Sequence, residues 1–317
     1  MYEQSTNNAS SFVSQVDSAF VFIFGISLLF LVGITAFMVY YIIRYRKSKN
    51  TEATHIEGNN KLEIIWTIIP TILVLSMFYY GWSGWKFQRE IPEDAIPIKT
   101  IARMWSFTFQ YENGLITDTL YVPRDKAVNL DLVALDVLHS LYIPAFRVKQ
   151  DMVPGKQTNI WFESGMEGEY EIFCAEYCGL RHSYMQSVVK VIPPEEFEAM
   201  TRIDSSKLTS NNMIVDTRQA GNSIARKYGC NACHTADGSK LIGPSYKNIM
   251  GRTRTVLIDG EEREVVADED YIRRSIYEPN AEIVKGYEKG LMLSYKDQVS
   301  EEEFQKLLEY FKYLSDQ

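Results

Sequence analysis

The chain has 317 residues, and 33 basic against 41 acidic side chains give it a formal net charge of −8. Its length predicts two or three domains, and a composition with 46 % hydrophobic and 23 % charged residues excludes bulk disorder. The acidic balance argues against a nucleic-acid-binding protein, which would carry a basic face. These averages conceal an uneven distribution, because residues 1–90 are far more apolar than the rest.

Two apolar segments near the start of the chain predict membrane-spanning helices. Residues 19–43 contain no charged side chain, and a helix of that length exceeds the roughly 30 Å hydrocarbon core of a bilayer. Residues 64–82 are just long enough to span, and aromatic side chains cluster at the far end of this run, as at membrane interfaces. We therefore predict a transmembrane hairpin within residues 1–90, with helices at about 19–43 and 64–85, in preference to two buried core helices.

The loop between the two apolar segments predicts the orientation of the chain. It carries five basic residues within positions 44–63, so the positive-inside rule places it in the cytoplasm and both termini on the other side. A cleaved signal peptide fits poorly, because residues 1–18 contain no Lys or Arg. Glu63 stands at the cytoplasmic mouth of the second helix. It is either a helix-start carboxylate favoured by the helix dipole or part of a proton path.

The four cysteines and four histidines are concentrated in two short motifs. Six of these eight residues fall in C-A-E-Y-C-G-L-R-H (174–182) and C-N-A-C-H (230–234). A disulfide scaffold would spread its cysteines along a shorter chain. Clusters of Cys and His in a chain of this length predict metal or cofactor ligation instead.

The chain from residue 96 to residue 192 has the pattern of short strands separated by turns. Residues 127–135 alternate apolar and polar side chains, which is the period of a half-buried strand. Turn signals such as Asn113-Gly114 and Pro154-Gly155 interrupt the strand-like runs. This pattern predicts an all-β sandwich or Greek-key barrel over residues 91–200. The loops of such a fold can assemble a site from residues that are distant in sequence.

One loop of the predicted β domain, together with an earlier D-V-L-H-S segment, supplies six candidate metal ligands. They are His139, Cys174, Glu176, Cys178, His182 and Met185. Two thiolates, two imidazoles and a thioether are soft to intermediate ligands, the set that selects copper over hard cations. A Cys2His2 zinc site would use four of these residues but would not need Met185. A Cys174–Cys178 disulfide is a further alternative in an oxidising compartment.

The second Cys/His motif predicts a covalently attached haem. It follows a polar segment at 201–212, which is predicted to be a linker, and it lies in a separate domain over residues 213–317. Cys230-Asn-Ala-Cys233-His234 has the C-x-x-C-H pattern of haem attachment. Both thiols would form thioethers with the haem vinyl groups, and His234 would be the proximal iron ligand.

The surroundings of this motif resemble those of a small class I cytochrome c. A helix approaches the motif, Gly243-Pro244 follows it, and a capping box at 300–303 begins an amphipathic final helix. The resemblance implies an all-α domain whose methionine ligand lies just before the final helix. Met292 stands there, although the Pro that usually follows is Leu293, whereas Met250 is expected to pack as core.

The first motif, with D-V-L-H-S before it, resembles the dinuclear copper (CuA) site of cytochrome c oxidase subunit II. The resemblance continues in the second apolar segment, where residues 63–70 match the family pattern E-x-x-W-T-I-x-P, and in the aromatic stretch 105–111. Together these segments cover roughly residues 20–192. The resemblance implies a cupredoxin-like fold for the β domain and copper rather than zinc or a disulfide.

The same resemblance implies a role for each matching position. The two cysteines of the first motif would bridge both coppers, with His139 and His182 as terminal ligands. Met185 would be a weak axial ligand, and the backbone carbonyl of Glu176 would complete the other copper. The Glu176 side chain would reach a Mg²⁺ at the boundary with the catalytic subunit. Trp105 would receive the electrons, and Glu63 would open a proton path; Phe107 stands where the family usually has a second Trp.

The whole chain resembles subunit II of a caa3-type oxidase, in which a cytochrome c domain follows the copper domain. This implies an electron-transport subunit of a proton-pumping, O2-reducing respiratory oxidase in a bacterial plasma membrane. Its donor would be a cytochrome c or a quinol:cytochrome c reductase. The oxygen-reducing centre would lie in subunit I, because such centres need several histidines and only His55 is uncommitted here.

Two interpretations from other classes are weighed against this one. The chain is a candidate electron carrier for a nitric oxide reductase with a similar copper subunit, although Glu63 and the second-helix motif favour an oxidase. A copper sensor or storage module is disfavoured, because storage has no use for a covalent haem. A quinol oxidase is disfavoured because those relatives lack the copper ligands that this chain has.

Overall fold

The computed structural model describes residues 9–52, 55, 57–202 and 217–316. Within these residues the chain forms a helical hairpin, a two-sheet β domain and a smaller C-terminal domain of helices and strands. Most of the predicted linker at 201–212 lies outside the described residues. The C-terminal domain nevertheless contacts the β domain directly.

The hairpin consists of α1 (Val13–Arg44) and α2 (Asn60–Arg89). Both helices extend beyond their predicted bounds, because additional helical turns of polar or aromatic residues flank each apolar segment. Asn59 caps α2, where its side-chain oxygen accepts hydrogen bonds from the backbone of Lys61 and Leu62. Apolar side chains are exposed along both helices, and by length and composition each could cross a membrane.

The outer ends of the two helices rest on the β domain. The ring of Phe12, just before α1, packs edge-on against Phe87 near the end of α2 at 5.5 Å and against Trp161 of the β domain at 4.8 Å. Arg147 of the β domain donates two hydrogen bonds, of 2.8 and 3.2 Å, to the carboxylate of Asp17. The basic loop between the helices therefore lies at the opposite end of the hairpin from the β domain.

Ten strands form the β domain. They are β1 (Ile96–Arg103), β2 (Ser106–Gln110), β3 (Ile116–Thr117), β4 (Leu120–Pro123), β5 (Ala127–Ala134), β6 (His139–Ile143), β7 (Val148–Met152), β8 (Thr158–Glu163), β9 (Gly168–Cys174) and β10 (Gln186–Ile192). One sheet has the order β3-β2-β1-β5-β8, and the other has the order β4-β10-β9-β6-β7. The two sheets pack around an apolar core, and the predicted sandwich is confirmed.

Strand β5 shows how the sequence pattern sets the register of the sheet. Val128, Leu130 and Leu132 are fully buried, whereas the intervening Asn129 and Asp131 are only partly buried. A shift of one residue would turn this apolar row toward solvent, so the alternation fixes which face packs on the core. The prediction of a half-buried strand at this position is confirmed.

The C-terminal part contains strands as well as helices. Helix α3 (Pro194–Arg202) still packs on the β domain, where Phe197 joins the core. The elements after it are α4 (Thr217–Lys227), β11 (Thr253–Ile258), β12 (Glu261–Val266), α5 (Glu269–Tyr277), β13 (Ile283–Val284) and α6 (Glu301–Ser315). The all-α expectation for residues 213–317 is corrected by the antiparallel sheet β12-β11-β13. Asp259 and Gly260 both have positive φ, and this tight-turn geometry joins two strand-like runs into a hairpin.

Helices α4 and α6 cross closely and form the core of the C-terminal domain. At their crossing point, an added Cβ on Gly221 would lie 2.6 Å from the carbonyl oxygen of Lys306 and would collide with Tyr310. The crossing therefore depends on a glycine, because any side chain at 221 would push the helices apart. At the start of α6, Ser300 and Glu303 form the predicted capping box, with reciprocal hydrogen bonds between side chains and backbone.

We predict that Gly221→Ala destabilises the C-terminal domain by about 1–3 kcal/mol, because the methyl group overpacks the helix crossing. Heating the detergent-solubilised chain with protease present should then produce cleavage within residues 217–316 at a lower temperature than in the wild type. Ser223→Ala, on the exposed side of the same helix, is the matched control and should leave the cleavage temperature unchanged. Equal cleavage temperatures for Gly221→Ala and the wild type would contradict the packing argument.

Candidate functional site

The first Cys/His motif and the earlier histidine meet at one end of the β sandwich. His139 opens β6, Cys174 closes β9, and the loop between β9 and β10 carries the other candidate ligands. The Sγ atoms of Cys174 and Cys178 are 3.7 Å apart. Nδ1 of His139 lies 3.9 Å from Cys174 Sγ, and Nδ1 of His182 lies 3.6 Å from Cys178 Sγ. Each thiol thus has its own imidazole, and the two thiols face each other.

Two further donors lie next to this pair of thiols. The sulfur of Met185 is 3.7 Å from Cys178 Sγ, and the backbone carbonyl of Glu176 is 3.2 Å from Cys174 Sγ. The ligand atoms of His139, Cys174 and Cys178 lie within 4.8 Å of one another, and all three residues are buried. The arrangement brings together all six candidate ligands of the first motif. Soft sulfur donors in a buried pocket suit copper ions, and facing thiolates can each bind two metals.

Asp136 is a functional residue that the sequence analysis did not single out. Its carboxylate accepts a 2.7 Å hydrogen bond from Nε2 of His139, and its side chain is only 5 % exposed. Because a carboxylate can only accept here, Nε2 carries a hydrogen, and Nδ1 faces the thiols. The sequence signal that could have identified Asp136 is its acidic side chain three positions before a candidate ligand histidine.

Burial and hydrogen bonding shift the pKa values of the two thiols in opposite directions. Burial alone would raise the pKa of Cys174, but hydrogen bonds from His139 and the backbone outweigh it and lower the pKa to about 6. Burial and the neighbouring Cys174 charge raise the pKa of Cys178 to about 12. Ionisation of one thiol is therefore favoured, and ionisation of the second is opposed by the charge of the first. A bound cation would offset that repulsion.

Trp105 lies directly beside the loop between β9 and β10, residues 175–185, which we call the copper-type loop. Its indole N–H donates a 3.0 Å hydrogen bond to the backbone carbonyl of Cys178. An added Cβ on Gly179, which has φ 110°, would lie 3.2 Å from the same ring. The backbone N–H of the preceding residue, Met104, donates to the carboxylate of Asp136 at 2.6 Å. Two hydrogen bonds thus attach the turn between β1 and β2 to the candidate metal site.

A largely apolar cavity in the C-terminal domain contains the second motif. Its wall includes Cys230, Cys233, His234 and Met292, but not Met250. Met104 of the β domain also lines it, so the cavity reaches the boundary between the domains. The structure therefore brings the C-x-x-C-H motif and Met292 to one cavity beside the turn that carries Trp105.

The imidazole of His234 is held in a fixed orientation. Its Nδ1 donates a 2.7 Å hydrogen bond to the carbonyl of Pro244, which leaves Nε2 free for another partner. An added Cβ on Gly243 would lie only 2.7 Å from Nδ1, so the ring requires a glycine beside it. Burial lowers the pKa of His234 and favours the neutral ring, the form that binds metals. Two free thiols and an oriented imidazole in an apolar cavity fit a covalently attached haem.

Two other candidate residues lie apart from these clusters. Glu63 is in the first turn of α2, where a carboxylate favours the helix dipole. The Glu176 side chain accepts a 3.0 Å hydrogen bond from Lys149 and is about one-third exposed. The geometry of the described residues fits the helix-start interpretation of Glu63. The Glu176 carboxylate points away from the thiols while its carbonyl points toward them.

Comparison with known proteins places these features in one family. The model of the cytochrome c oxidase subunit II transmembrane domain matches residues 3–81, and that of its periplasmic domain matches residues 113–192. Cytochrome c oxidase subunit 2 of Alkalihalophilus pseudofirmus is 28 % identical over 310 residues, covering 92 % of this chain and 85 % of the relative. The Synechocystis sp. subunit 2 is 29 % identical over 241 residues, covering 60 % and 72 %.

The chain is also similar to a solved structure. The crystal structure of the periplasmic domain of subunit II of cytochrome oxidase from Bradyrhizobium japonicum is 25 % identical, with a TM-score of 0.35. The similarity covers 37 % of this chain and 99 % of that one.

The chain belongs to the cytochrome c oxidase subunit II family. It is a membrane protein and part of an O2-reducing haem-copper oxidase complex, in which electrons enter through its CuA-type domain. CuA-type copper binding is expected for this domain, and the His/Cys cluster is a candidate for that site.

We predict that Asp136→Asn weakens copper retention by about 10–100-fold, because the amide no longer fixes the His139 ring as the carboxylate does. Copper per chain should be measured after exposure of the purified complex to increasing chelator. Asp131→Asn, in β5 and hydrogen-bonded to Asn159, is the matched control and should retain copper as the wild type does. Equal copper retention by the two variants would contradict the orienting role of Asp136.

Proposed function

We propose that this chain is the subunit II of a caa3-type oxidase, in which electrons pass from a covalent haem c to CuA and then to subunit I. The proposal divides the chain into a hairpin at 1–90, a CuA domain at 91–200, a linker at 201–212 and a cytochrome c domain at 213–317. The observation that carries it is the position of the turn between β1 and β2. Met104 lines the C-x-x-C-H cavity, and Trp105 is hydrogen-bonded to the copper-type loop.

The donor set of the β domain supports a dinuclear copper centre. Cys174, Cys178, His139, His182 and Met185 would hold the metals through two thiolates, two imidazoles and a thioether. The carbonyl of Glu176 would be a further ligand. When bound, such a centre accepts and releases a single electron that is shared by both metals. The chain supplies a rigid buried cage, with His139 held by Asp136, so that little has to move during transfer.

The cavity of the C-terminal domain supports a covalent haem. Cys230 and Cys233 would form the thioethers, and His234 and Met292 would be the iron ligands. When bound, the haem supplies a one-electron carrier at the boundary between the domains. His234 is oriented by Pro244, and Met292 is in the cavity wall while Met250 is not.

Exposed apolar side chains around the copper-type loop support a partner subunit on that side. They include Leu135, Val137, Leu138, Tyr142, Tyr177, Leu180 and Tyr184, each at least 36 % exposed. A concentration of exposed apolar residues at a site of electron exit favours docking with another protein. The partner that covers this surface would be subunit I, which would contain the oxygen-reducing centre. A Mg²⁺ bound by Glu176 would lie at the boundary between the two subunits.

The hairpin and its loop support a defined orientation in the membrane. The basic loop lies at the end of the hairpin remote from the β domain, because Phe12 and Phe87 both pack on Trp161. If that loop is cytoplasmic, as the positive-inside rule predicts, both redox domains lie on the periplasmic side of the bacterial inner membrane. Glu63 is then at the cytoplasmic surface, where a proton path would begin.

We predict that Met292→Ala converts haem c to a high-spin form and lowers its reduction potential, because the iron loses a thioether ligand. Absorption and paramagnetic resonance spectra of the covalently attached haem report the spin state, and a redox titration followed by absorption reports the potential. Met250→Ala is the matched control and should leave these spectra unchanged. The ligand assignment is wrong if Met250→Ala alone changes the spectra.

We predict that Trp105→Phe slows electron transfer from haem c to CuA without altering either spectrum, because it removes the hydrogen bond to Cys178 while keeping an aromatic ring. Flash reduction of haem c, followed at the copper band in the purified complex, measures this rate directly. Trp161→Phe is the matched control, because this tryptophan packs against the helical hairpin. Electron transfer in this variant should proceed at the wild-type rate. An unchanged rate in Trp105→Phe would contradict electron transfer through Trp105.

A further inference from the structure

The cytochrome-type domain contacts the CuA-type domain around the end of α4, and this inference rests on the function proposed above. The end of α4 and the residues after it, 226–230, pack against β1, β2 and the turns beside them. The hydroxyl of Thr108 donates to the carbonyl of Lys227 at 3.4 Å, and Arg226 forms a 3.5 Å ion pair with Asp118. Two residues at the centre of this contact, Arg103 and Gly229, are the basis of the inference.

Arg103 extends from the end of β1 into the C-terminal domain. It is 4 % exposed, and its Nη1 donates a 3.3 Å hydrogen bond to the carbonyl of Tyr228. Its guanidinium carbon lies 5.8 Å from the ring centre of Tyr228 and 6.0 Å from that of Tyr295. The hydroxyl of Tyr295 donates to the same Tyr228 carbonyl at 3.1 Å. Two aromatic faces and a carbonyl therefore surround a cation that the other domain supplies.

The charge of Arg103 has no carboxylate partner among the described residues. The nearby Glu303 is paired with Lys227 at 2.7 Å and accepts a hydrogen bond from the hydroxyl of Tyr228. The Nε atom of Arg103 is buried without a hydrogen-bond partner in the described part of the chain. Burying an uncompensated cation is costly, and aromatic faces offset only part of that cost. A charge in this position therefore calls for a functional explanation.

The location of the cation supplies that explanation. Tyr295 lines the C-x-x-C-H cavity together with Cys230, and Arg103 is the residue immediately before Met104 and Trp105. A positive charge beside this cavity would favour the reduced form of a haem bound there, because an added electron lowers the charge at that centre. The same side chain joins the cavity wall to the turn that touches the copper-type loop.

We propose that Arg103 is a positioning residue that locks the haem c domain against the CuA domain, and that its charge raises the reduction potential of the haem. Electrons are exchanged singly in both transfers, and no covalent bond forms or breaks at Arg103. The lock keeps the C-x-x-C-H cavity against Met104 and the turn that carries Trp105. The charge keeps the haem reducible by an external donor before the electron passes on.

Gly229 provides a second and independent sign that the two domains must approach closely. It has φ 68°, and an added Cβ would collide with the hydroxyl oxygen of Ser106. The Cβ of Ser106 is farther away, at 3.3 Å, and its hydroxyl has no hydrogen-bond partner among the described residues. The close contact between the domains thus depends on the absence of a side chain at position 229. The atom that a side chain there would strike is the unpaired hydroxyl oxygen of Ser106.

The charge is tested by measuring the haem c potential in the purified oxidase with Arg103→Met, Arg103→Lys and Arg263→Met. Arg103→Met should shift the equilibrium with a redox mediator toward oxidised haem by about tenfold, ~59 mV for a one-electron couple. Arg103→Lys should keep most of the wild-type potential. Arg263→Met removes an exposed charge from β12 and should change nothing. An unchanged potential in Arg103→Met, or an equal fall in the Lys variant, overturns the charge role.

The lock is tested by flash reduction of haem c in the same proteins. Arg103→Met should slow transfer to CuA even though the lower haem potential increases the driving force. Arg103→Lys should also slow it, because an ammonium cannot fill the space between the two tyrosine rings as a planar guanidinium does. Wild-type rates in both variants would overturn the positioning role.

A steric pair tests the lock without changing any charge. Gly229→Ala should slow the transfer, and Ser106→Ala in the same chain should restore part of the rate by removing the colliding oxygen. Ser106→Ala alone should transfer at the wild-type rate. A wild-type rate in Gly229→Ala, or no restoration by Ser106→Ala, would contradict a fixed close contact.

These outcomes are separable from failure of the proposed function. If the wild-type chain carries no covalent haem, the caa3 assignment fails before any variant is compared. If the haem is attached and Trp105→Phe slows transfer while the Arg103 and Gly229 variants do not, only the present inference fails. Covalent haem content is measured in each variant, and rates are expressed per attached haem, so poor incorporation does not imitate slow transfer.

Discussion

The turn between β1 and β2 must touch two sites at once, and the remaining structure is arranged around this constraint. On one side Trp105 donates to the carbonyl of Cys178, and the backbone of Met104 donates to Asp136. On the other side Arg103 reaches the carbonyl of Tyr228 in the next domain. The parallel pairing of β1 with β5 fixes this turn at the end of the sandwich where His139 begins β6. A shift of the turn would disturb both sites together.

The motifs that lie close together in sequence were predictable because their ligands are local. Cys174, Cys178 and His182 share one loop, and C-x-x-C-H is contiguous, so residue type and spacing carry the chemistry. The strand at 127–134 and the capping box at Ser300 followed from alternation and from a short local pattern. His139 was among the candidate ligands by residue type, and the family resemblance gave it a role, although it is distant in sequence from the thiols it faces.

Other features were not predictable because they arise from tertiary contacts. Asp136 gains its importance only when His139 turns toward it. Arg103 reads as an ordinary end-of-strand cation until the C-terminal domain covers it, and Gly229 reads as a helix-ending glycine. The hairpin at 253–266 was missed because the resemblance to small cytochromes favoured helices over a visible Asp-Gly turn signal.

Fusion of the two domains changes which physical terms govern electron transfer. Separate redox proteins must meet by diffusion and benefit from opposite charges, which salt screens. A tethered pair has a high effective concentration, so the contact needs only to be short and well packed. The aromatic faces around Arg103 and the close approach at Gly229 meet that need. A buried cation in this contact is insulated from salt.

The central claim is that this one chain holds both a dinuclear copper centre and a covalent haem c. The most direct measurement is the ratio of mixed-valence copper spins to covalently attached haem in the complex purified in mild detergent. The account predicts a one-to-one ratio, with the copper spin shared equally by two nuclei. A spin localised on a single copper, or a chain that loses all haem on denaturation, would contradict it.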